Sequence, residues 1–189
     1  GKVAQLWRGS IILTGHSKGG NLAVYAAMNA EDKVKDRIEH IYSLDGPGFP
    51  EVVVRSFEYA SVHERITKIV PDSSVVGMVL ETPERCMVVK SDVDGIMQHF
   101  AFSWQMHGGE FAKVEDVANS SVTFNKSLNG WLSGLSEEQR EHAVDALFSV
   151  LAASGADNIS GMVAAGPKVI PDMLGTYAVS YTHLTLPTT

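Results

Sequence analysis

A serine stands between two glycines near the start of the chain, in the pentapeptide Gly15-His16-Ser17-Lys18-Gly19. The apolar residues 10–14 precede it, and a helical pattern rich in small side chains follows from residue 21. A strand–turn–helix of this kind can hold a serine hydroxyl at the carboxyl edge of a parallel sheet, where it can act as a nucleophile. The spacing therefore predicts that Ser17 is a nucleophile, with a purely structural strand–helix turn as the alternative.

Such a turn is tight, so the residues around the serine must be small. Gly15, Gly19 and Gly20 are predicted to meet that demand. The helix that follows would direct its N-terminal N–H groups at an oxyanion developing on the substrate. The backbone N–H of Lys18 is therefore the candidate oxyanion-hole donor.

An activated serine needs a general base, and histidine is the usual one. His99 follows the fourth predicted strand on a glycine-containing loop, where a base would face the serine. His16 lies inside the turn and is not expected to reach around to Ser17 as the base. His40 and His63 precede strands and are expected at the opposite end of the sheet. The remaining histidines fall in a later loop, on a predicted exposed helix face and near the end of the chain: His107, His142 and His183.

The base in turn needs a carboxylate to orient it, and several aspartates qualify. Asp45 ends the second predicted strand and Asp72 ends the third, so both are expected at the carboxyl edge of the sheet. Position favours Asp72 slightly, with Asp45 close behind, and each also suits a turn or a helix cap. Asp92 and Asp94 follow the fourth strand but lie on the loop of His99 itself.

The elements that would position these residues alternate between strand and helix. Apolar, β-branched runs predict four strands, and the alternation favours an α/β fold with a parallel sheet. Between the strands we expect a charged helical continuation over residues 31–40, a helix with Pro50 in its first turn, and a short helix capped by Ser73 or Ser74. The predicted strands are residues 10–14, 41–44, 65–70 and 85–91.

The pattern changes after about residue 116, where three helices are predicted in succession. They cover residues 122–135, 136–154 and 158–174. The second opens on Ser136 with Gln139 three residues later, which is a capping-box pattern. This segment can serve as a lid over the sheet or as a docking surface, and composition does not choose between them.

Four ordered blocks carry a resemblance to a known family: LTGHSKGGNLAVYAA, IYSLDGPGF, IVPDSSVVGM and VVKSDVDGIMQHFAFSW. Together they resemble the Mbeg-like family of bacterial α/β hydrolases, which is distantly similar to the class 3 lipases. The likeness covers roughly residues 1–177 and implies Ser17 as nucleophile and His99 as base. The family often carries Gln or Glu at the position of Asp72, which favours Asp45 as the carboxylate that orients the base. The resemblance supplies no substrate.

The sequence pattern and this resemblance together predict how the chain is divided. We expect a partial α/β-hydrolase core over residues 1–116, a helical segment of the same domain over 117–178, and a tail derived from sequencing-adapter DNA over 179–189. The chain starts at Gly1 without a methionine, so we expect it to be a fragment that lacks the strands before residue 10. On that expectation the second oxyanion donor is absent, and the chain alone is poorly soluble or nearly inactive.

The composition of the chain limits the classes of partner and cofactor that we expect it to bind. The chain of 189 residues has a formal charge of −7, which argues against nucleic acid. Its single cysteine, Cys86, suits a reducing compartment, so the cytoplasm is expected, and no apolar run is long enough to span a membrane. No His-x-x-x-His or paired cysteine spacing appears, so neither a metal nor another cofactor is predicted.

The function that best fits these residues is a serine hydrolase acting on an ester, a thioester or a lipid-like substrate. The lipid-like part rests on the distant lipase resemblance and on apolar residues after the predicted base, namely Phe100, Phe102, Trp104 and Met106. Contact with a membrane surface is compatible with such a substrate, but no feature of the sequence supports it. The alternatives are a binding module that keeps the fold without the chemistry, and an acyltransferase using the same three residues.

Overall fold

The computed structural model describes residues 6–115, 117, 119–136, 138–140 and 142–145. By its internal contacts the chain divides into two units, Gly1–Asn129 and Gly130–Thr189. The predicted helix over residues 158–174, most of the predicted helix over 136–154 and the tail over 179–189 lie outside the described residues.

The first unit is built on a five-stranded sheet. Its strands are β1 (Ile11–His16), β2 (Ile38–Leu44), β3 (Ile66–Pro71), β4 (Arg85–Val89) and β7 (Lys113–Val114), in the order β1-β2-β3-β4-β7. The first four pair in parallel, and β7 joins β4 in the antiparallel sense. A two-stranded hairpin, β5 (Met106–His107) with β6 (Glu110–Phe111), precedes β7. The predicted α/β fold with a mainly parallel sheet is confirmed.

The four predicted strands are confirmed, with shifted ends. The second strand begins three residues earlier than predicted, at Ile38, because Ile38 pairs with Ile11 and is buried in the core. The parallel register aligns the carboxyl ends, since His16 pairs with Leu44 and Pro71 pairs with Val89. The residues that follow these ends therefore meet at one edge of the sheet.

The helices of this unit are shorter than their sequence patterns predict. Helix α1 (Lys18–Met28) is followed by α2 (Asp32–Lys35), so the charged continuation expected over residues 31–40 is wrong: it is one separate turn and then strand β2. Pro50 caps α3 (Glu51–Val54), and Ser56 caps α4 (Phe57–Ala60) through a hydrogen bond from the N–H of Tyr59.

The expected serine cap after the third strand is also wrong. The segment forms a 3₁₀ turn, Val76–Met78, whose capping position is occupied by Val75 without a side-chain bond. The hydroxyl of Ser74 donates instead to the carboxylate of Asp45. A hydrogen bond to a carboxylate is about twice as strong as one between two neutral groups, so the contact with Asp45 is favoured over a cap on a backbone N–H.

The core of this unit lies on both faces of the sheet. One cluster packs α1 and the short helices against β2, and its fully buried members include Val24, Ala27, Ile41 and Val62. The other contains Ile69, Val89 and Trp104. Trp104 is anchored by its indole N–H, which donates to the carbonyl of Gln98 over 2.8 Å.

Helix α5 (Asn119–Ser133) matches the first of the three helices predicted in the later part of the chain. Within the second unit, the predicted capping box is present. The N–H of Gln139 donates to Oγ of Ser136 over 3.3 Å, and the N–H of Ser136 donates to Oε1 of Gln139 over 3.0 Å. The local sequence pattern alone was sufficient for this feature, because both partners lie within one turn.

Candidate active site

Ser17 is the single residue between strand β1 and helix α1. Its backbone has φ 56° and ψ −130°, a conformation that costs a non-glycine residue on the order of 1–3 kcal/mol. Hydrogen bonds on both sides hold it there. The N–H of Ser17 donates to the carbonyl of Leu44 over 2.9 Å, and its own carbonyl accepts from the N–H of Gly20 over 2.9 Å.

The strand and the helix approach each other closely at this turn, and two glycines permit it. A Cβ on Gly15 would lie 2.2 Å from the carbonyl oxygen of Gly19, and a Cβ on Gly20 would lie 2.6 Å from Oγ of Ser43. A Cβ on Gly19 would meet nothing within 4 Å. The expectation that Gly19 must also be small is therefore wrong, because its α-carbon faces open space.

A third close approach at this turn was not expected from the sequence. A Cβ on Gly46 would lie 2.8 Å from the carbonyl oxygen of Ser17 and 2.5 Å from Oγ of Ser43. The Gly-Pro-Gly motif after the second strand was the available signal, but it was interpreted only as a chain turn. Gly46 lets the loop after β2 lie directly against the Ser17 turn.

Lys18, the predicted oxyanion donor, is the first residue of helix α1. Backbone N–H groups in the first turn of a helix point out of its N-terminus, towards any anion placed there. Lys18 therefore lies in the first turn of α1, and its role as an oxyanion donor stays a prediction.

His99 and Asp45 form a buried pair. Nδ1 of His99 lies 2.7 Å from Oδ2 of Asp45, and the two side chains are 9% and 0% exposed. A carboxylate oxygen accepts, so Nδ1 of His99 carries the proton and Nε2 keeps its lone pair. This is the tautomer that a general base requires.

Further donors surround the carboxylate of Asp45. Oδ1 accepts from the hydroxyl of Ser74 over 2.5 Å and from the N–H of Gly77 over 3.1 Å. The carbonyl of Gly77 in turn accepts from Nζ of the buried Lys68 over 2.9 Å. The loop after β3 therefore wraps the acid and leaves its second oxygen to His99.

The other aspartates considered from the sequence do not hydrogen-bond to His99. Oδ1 of Asp72 is buried without a hydrogen-bond partner among the described residues, while the backbone N–H of Asp72 donates to Val89. Asp92 accepts from Nε2 of Gln105, and Asp94 precedes the 3₁₀ turn that carries His99. The side chain that pairs with His99 is thus that of Asp45, whereas strand position had slightly favoured Asp72.

His16 contacts His99, which the sequence analysis did not anticipate. Nε2 of His16 lies 2.6 Å from the carbonyl oxygen of His99, and the two ring centroids are 4.6 Å apart. Partial burial of the His16 ring lowers its pKa, and the neighbouring His99 lowers it further, against the raising effects of the carbonyl and of Asp45. Because His16 directly precedes Ser17, this contact brings the loop of His99 against the Ser17 turn.

The remaining described histidines lie elsewhere in the fold. The ring of His40 stacks on Tyr42 with centroids 5.7 Å apart, and Nε2 of His63 is 3.4 Å from the carbonyl of Pro83. His107 lies in hairpin strand β5. His183 lies outside the described residues.

The apolar residues after His99 divide into two groups. The Phe102 side chain is 78% exposed and packs against Phe100, with ring centroids 5.4 Å apart, while Met106 is 55% exposed. Trp104 is only 5% exposed and belongs to the core. Phe102 and Met106 therefore present an apolar surface, whereas Trp104 does not.

Two classes of feature are absent from the described part of the chain. There, no group of three or more His, Cys, Asp or Glu side chains is arranged to hold a metal ion. No helix in the same part has both the length and the hydropathy needed to cross a membrane.

Comparison with known proteins gives one match. The family model described as Mbeg1-like matches residues 1–149, which include Ser17, Asp45 and His99. No curated protein matches the chain, and no solved structure does.

Proposed function

This chain belongs to the Mbeg1-like family, and we propose that it is a serine hydrolase in which Ser17 is the nucleophile, His99 the general base and Asp45 the acid that orients the base. The observation that carries the proposal is the buried His99–Asp45 hydrogen bond of 2.7 Å. It lies beside a serine whose backbone is strained at φ 56°. Strain and an oriented imidazole in one place are typical of catalytic sites.

The proposed reaction transfers an acyl group in two steps. Nε2 of His99 takes the proton of the Ser17 hydroxyl as its Oγ attacks the substrate carbonyl, and the N–H of Lys18 stabilises the oxyanion that forms. The protonated His99 gives its proton to the leaving alcohol or thiol, which leaves an acyl group on Ser17. Water activated by His99 then releases the acid.

No hydrogen bond joins the Ser17 hydroxyl to His99 in the described part of the chain, where His99 instead bonds to Asp45 and His16. Such bonds are often long in enzymes without substrate and shorten when substrate binds. The contact between His16 and the loop of His99 keeps the base next to the residue that precedes Ser17.

The proposed substrate is an ester or thioester of an apolar acyl group. The exposed Phe102, whose ring packs against that of Phe100 directly after His99, supports an apolar substrate, as does the distant likeness to lipases. An acyltransferase would use the same residues with an alcohol in place of water. The single free cysteine, Cys86, suits the cytoplasm as the proposed site of the reaction.

Labelling with a fluorophosphonate probe tests the proposal, because this reagent reacts with activated serines. We expect the full-length protein to be labelled and its Ser17→Ala and His99→Ala variants to lose the label. Ester hydrolysis should fall by roughly 10⁴-fold or more in both. Ser10→Ala and His40→Ala are matched controls at exposed positions near the opposite end of the sheet and should label normally.

A binding module is the second candidate, favoured by the absence of a hydrogen bond between Ser17 and His99 in the described residues. In that case the protein would fold, and the probe would label it no faster than it labels Ser17→Ala. Circular dichroism on the same sample would establish that it is folded. That combination would refute the hydrolase proposal.

A further inference from the structure

We propose that His16 is a positioning residue, which holds the loop and the ring of His99 in place for proton transfer. The inference rests on the proposed function, since it concerns the base of that reaction. His16 itself reaches neither the substrate nor the acid in any hydrogen bond of the described residues. It acts through two contacts with His99.

The first contact fixes the backbone of His99. The carbonyl oxygen of His99 can only accept, so the proton of this 2.6 Å bond lies on Nε2 of His16. His16 ends strand β1, which is hydrogen-bonded along its length to β2. The bond thus ties the short 3₁₀ turn Gly95–His99 to the sheet at the residue before the nucleophile.

The second contact restrains the ring of His99. The two imidazoles lie with centroids 4.6 Å apart and planes inclined by 37°. Asp45 holds the same ring through Nδ1 from another side. A ring held at its edge by a carboxylate and packed against a second ring has little freedom to rotate away from Ser17. Geometry of this kind matters because an error of about 1 Å can cost a hundredfold in rate.

The charge of His16 is consistent with this role. Two cationic imidazoles in contact would repel each other, and His99 becomes cationic each time it takes the serine proton. Desolvation and the proximity of His99 both lower the pKa of His16, which favours its neutral form at neutral pH. A neutral ring can donate from Nε2 without opposing the charge on His99.

Three substitutions separate the two contacts. His16→Gln keeps an N–H donor without the ring, His16→Phe keeps the ring without the donor, and His16→Ala removes both. We expect fluorophosphonate labelling of His16→Ala to be about tenfold to a hundredfold slower than that of the unmodified protein. His16→Gln and His16→Phe should each label faster than His16→Ala, because each restores one contact.

His40→Ala is the matched control, since His40 is an exposed histidine on the neighbouring strand β2. It should label at the rate of the unmodified protein. The inference is overturned if His16→Ala also labels at that rate. It is equally overturned if the Gln and Phe variants are no faster than the Ala variant, because neither the donor nor the ring would then account for the effect.

A spectroscopic measurement tests the inference without any activity. The proton between Nδ1 of His99 and Asp45 should give a downfield proton resonance that His99→Ala removes. We expect His16→Ala to shift or broaden it and His40→Ala to leave it unchanged. If the fluorophosphonate does not label the protein but His16→Ala still perturbs this resonance, the proposed function is refuted and the positioning role is not. A resonance that is absent, or unaffected by His16→Ala, would refute the positioning role.

Discussion

The carboxylate of Asp45 is completely buried, yet its oxygens accept three hydrogen bonds, from His99, Ser74 and Gly77. Burial of an unpaired charge costs several kcal/mol, so this arrangement is stable only because each donor is present. A Cβ on Gly77 would lie 2.3 Å from Oδ1 of Asp45, so glycine is needed there for the backbone N–H to reach the acid.

The two candidate acids give a prediction at the residue scale. Asp45→Asn should lower ester hydrolysis by roughly 10⁴-fold, because an amide can no longer hold the base in the required tautomer. Asp72→Asn should lower it far less, since Asp72 has no hydrogen bond to His99. The ratio of kcat/KM between the variants is the measurement. Equal losses, or a larger loss in Asp72→Asn, would contradict the assignment of Asp45.

At the scale of elements, the Ser17 turn depends on how closely β1 and α1 can approach. A Cβ atom would clash with neighbouring atoms at Gly15 and Gly20, whereas at Gly19 it would meet none. The obstacle at Gly15 is a backbone carbonyl oxygen, which cannot move without displacing the first turn of α1. The strained backbone of Ser17 is therefore maintained by its neighbours rather than by its own preference.

Substitution of these glycines by alanine should distinguish the effect of packing on the free energy of unfolding from the effect of helix propensity. Gly15→Ala is expected to lower the free energy of unfolding by about 3 kcal/mol or more, because the new Cβ overlaps a backbone atom. Gly19→Ala should change it little, or raise it by up to about 1 kcal/mol, since alanine favours helix. Urea denaturation of both variants measures the difference. A well-folded Gly15→Ala protein of unchanged stability would contradict the close approach.

At the scale of the whole molecule, a buried cation makes stability depend on pH. Lys68 lies at the centre of the sheet with 2% of its surface exposed, and Nζ donates to the carbonyl of Gly77. Burial lowers the pKa of Lys68, an effect that the nearby Glu84, Cys86 and Asp45 only partly offset. The folded protein therefore releases this proton at a lower pH than the unfolded chain does.

Lys68→Met is predicted to remove this dependence. Between the lowered pKa and the ordinary value of 10.5, the unfolded chain binds more protons than the folded one, so stability rises with pH. The unfolding free energy of the unmodified protein minus that of Lys68→Met should increase between pH 7 and pH 10, by at most about 1.4 kcal/mol per pH unit. Denaturation at several pH values measures it. A constant or falling difference would contradict the prediction.

Much of the α/β core was predictable from the sequence. A parallel strand buried on both faces needs a short run of apolar, β-branched residues, and that signal is local. The capping box of Ser136 and Gln139 was predictable for the same reason. Strand β7 was not predicted, because a two-residue strand is formed by its partner β4 and has no pattern of its own.

The sequence by itself determined the α/β class, the strand–turn–helix around Ser17 and the placement of His99 after the fourth strand, because each depends on neighbours along the chain. Only the tertiary structure decided which aspartate meets His99. Asp45 and Asp72 both follow strands at the same edge, and their sequence contexts differ little. The loop of Ser74 and Gly77 folds over one of them and supplies its donors. The contact of His16 with His99 joins residues 83 positions apart, so it exists only once the sheet has brought both to one edge.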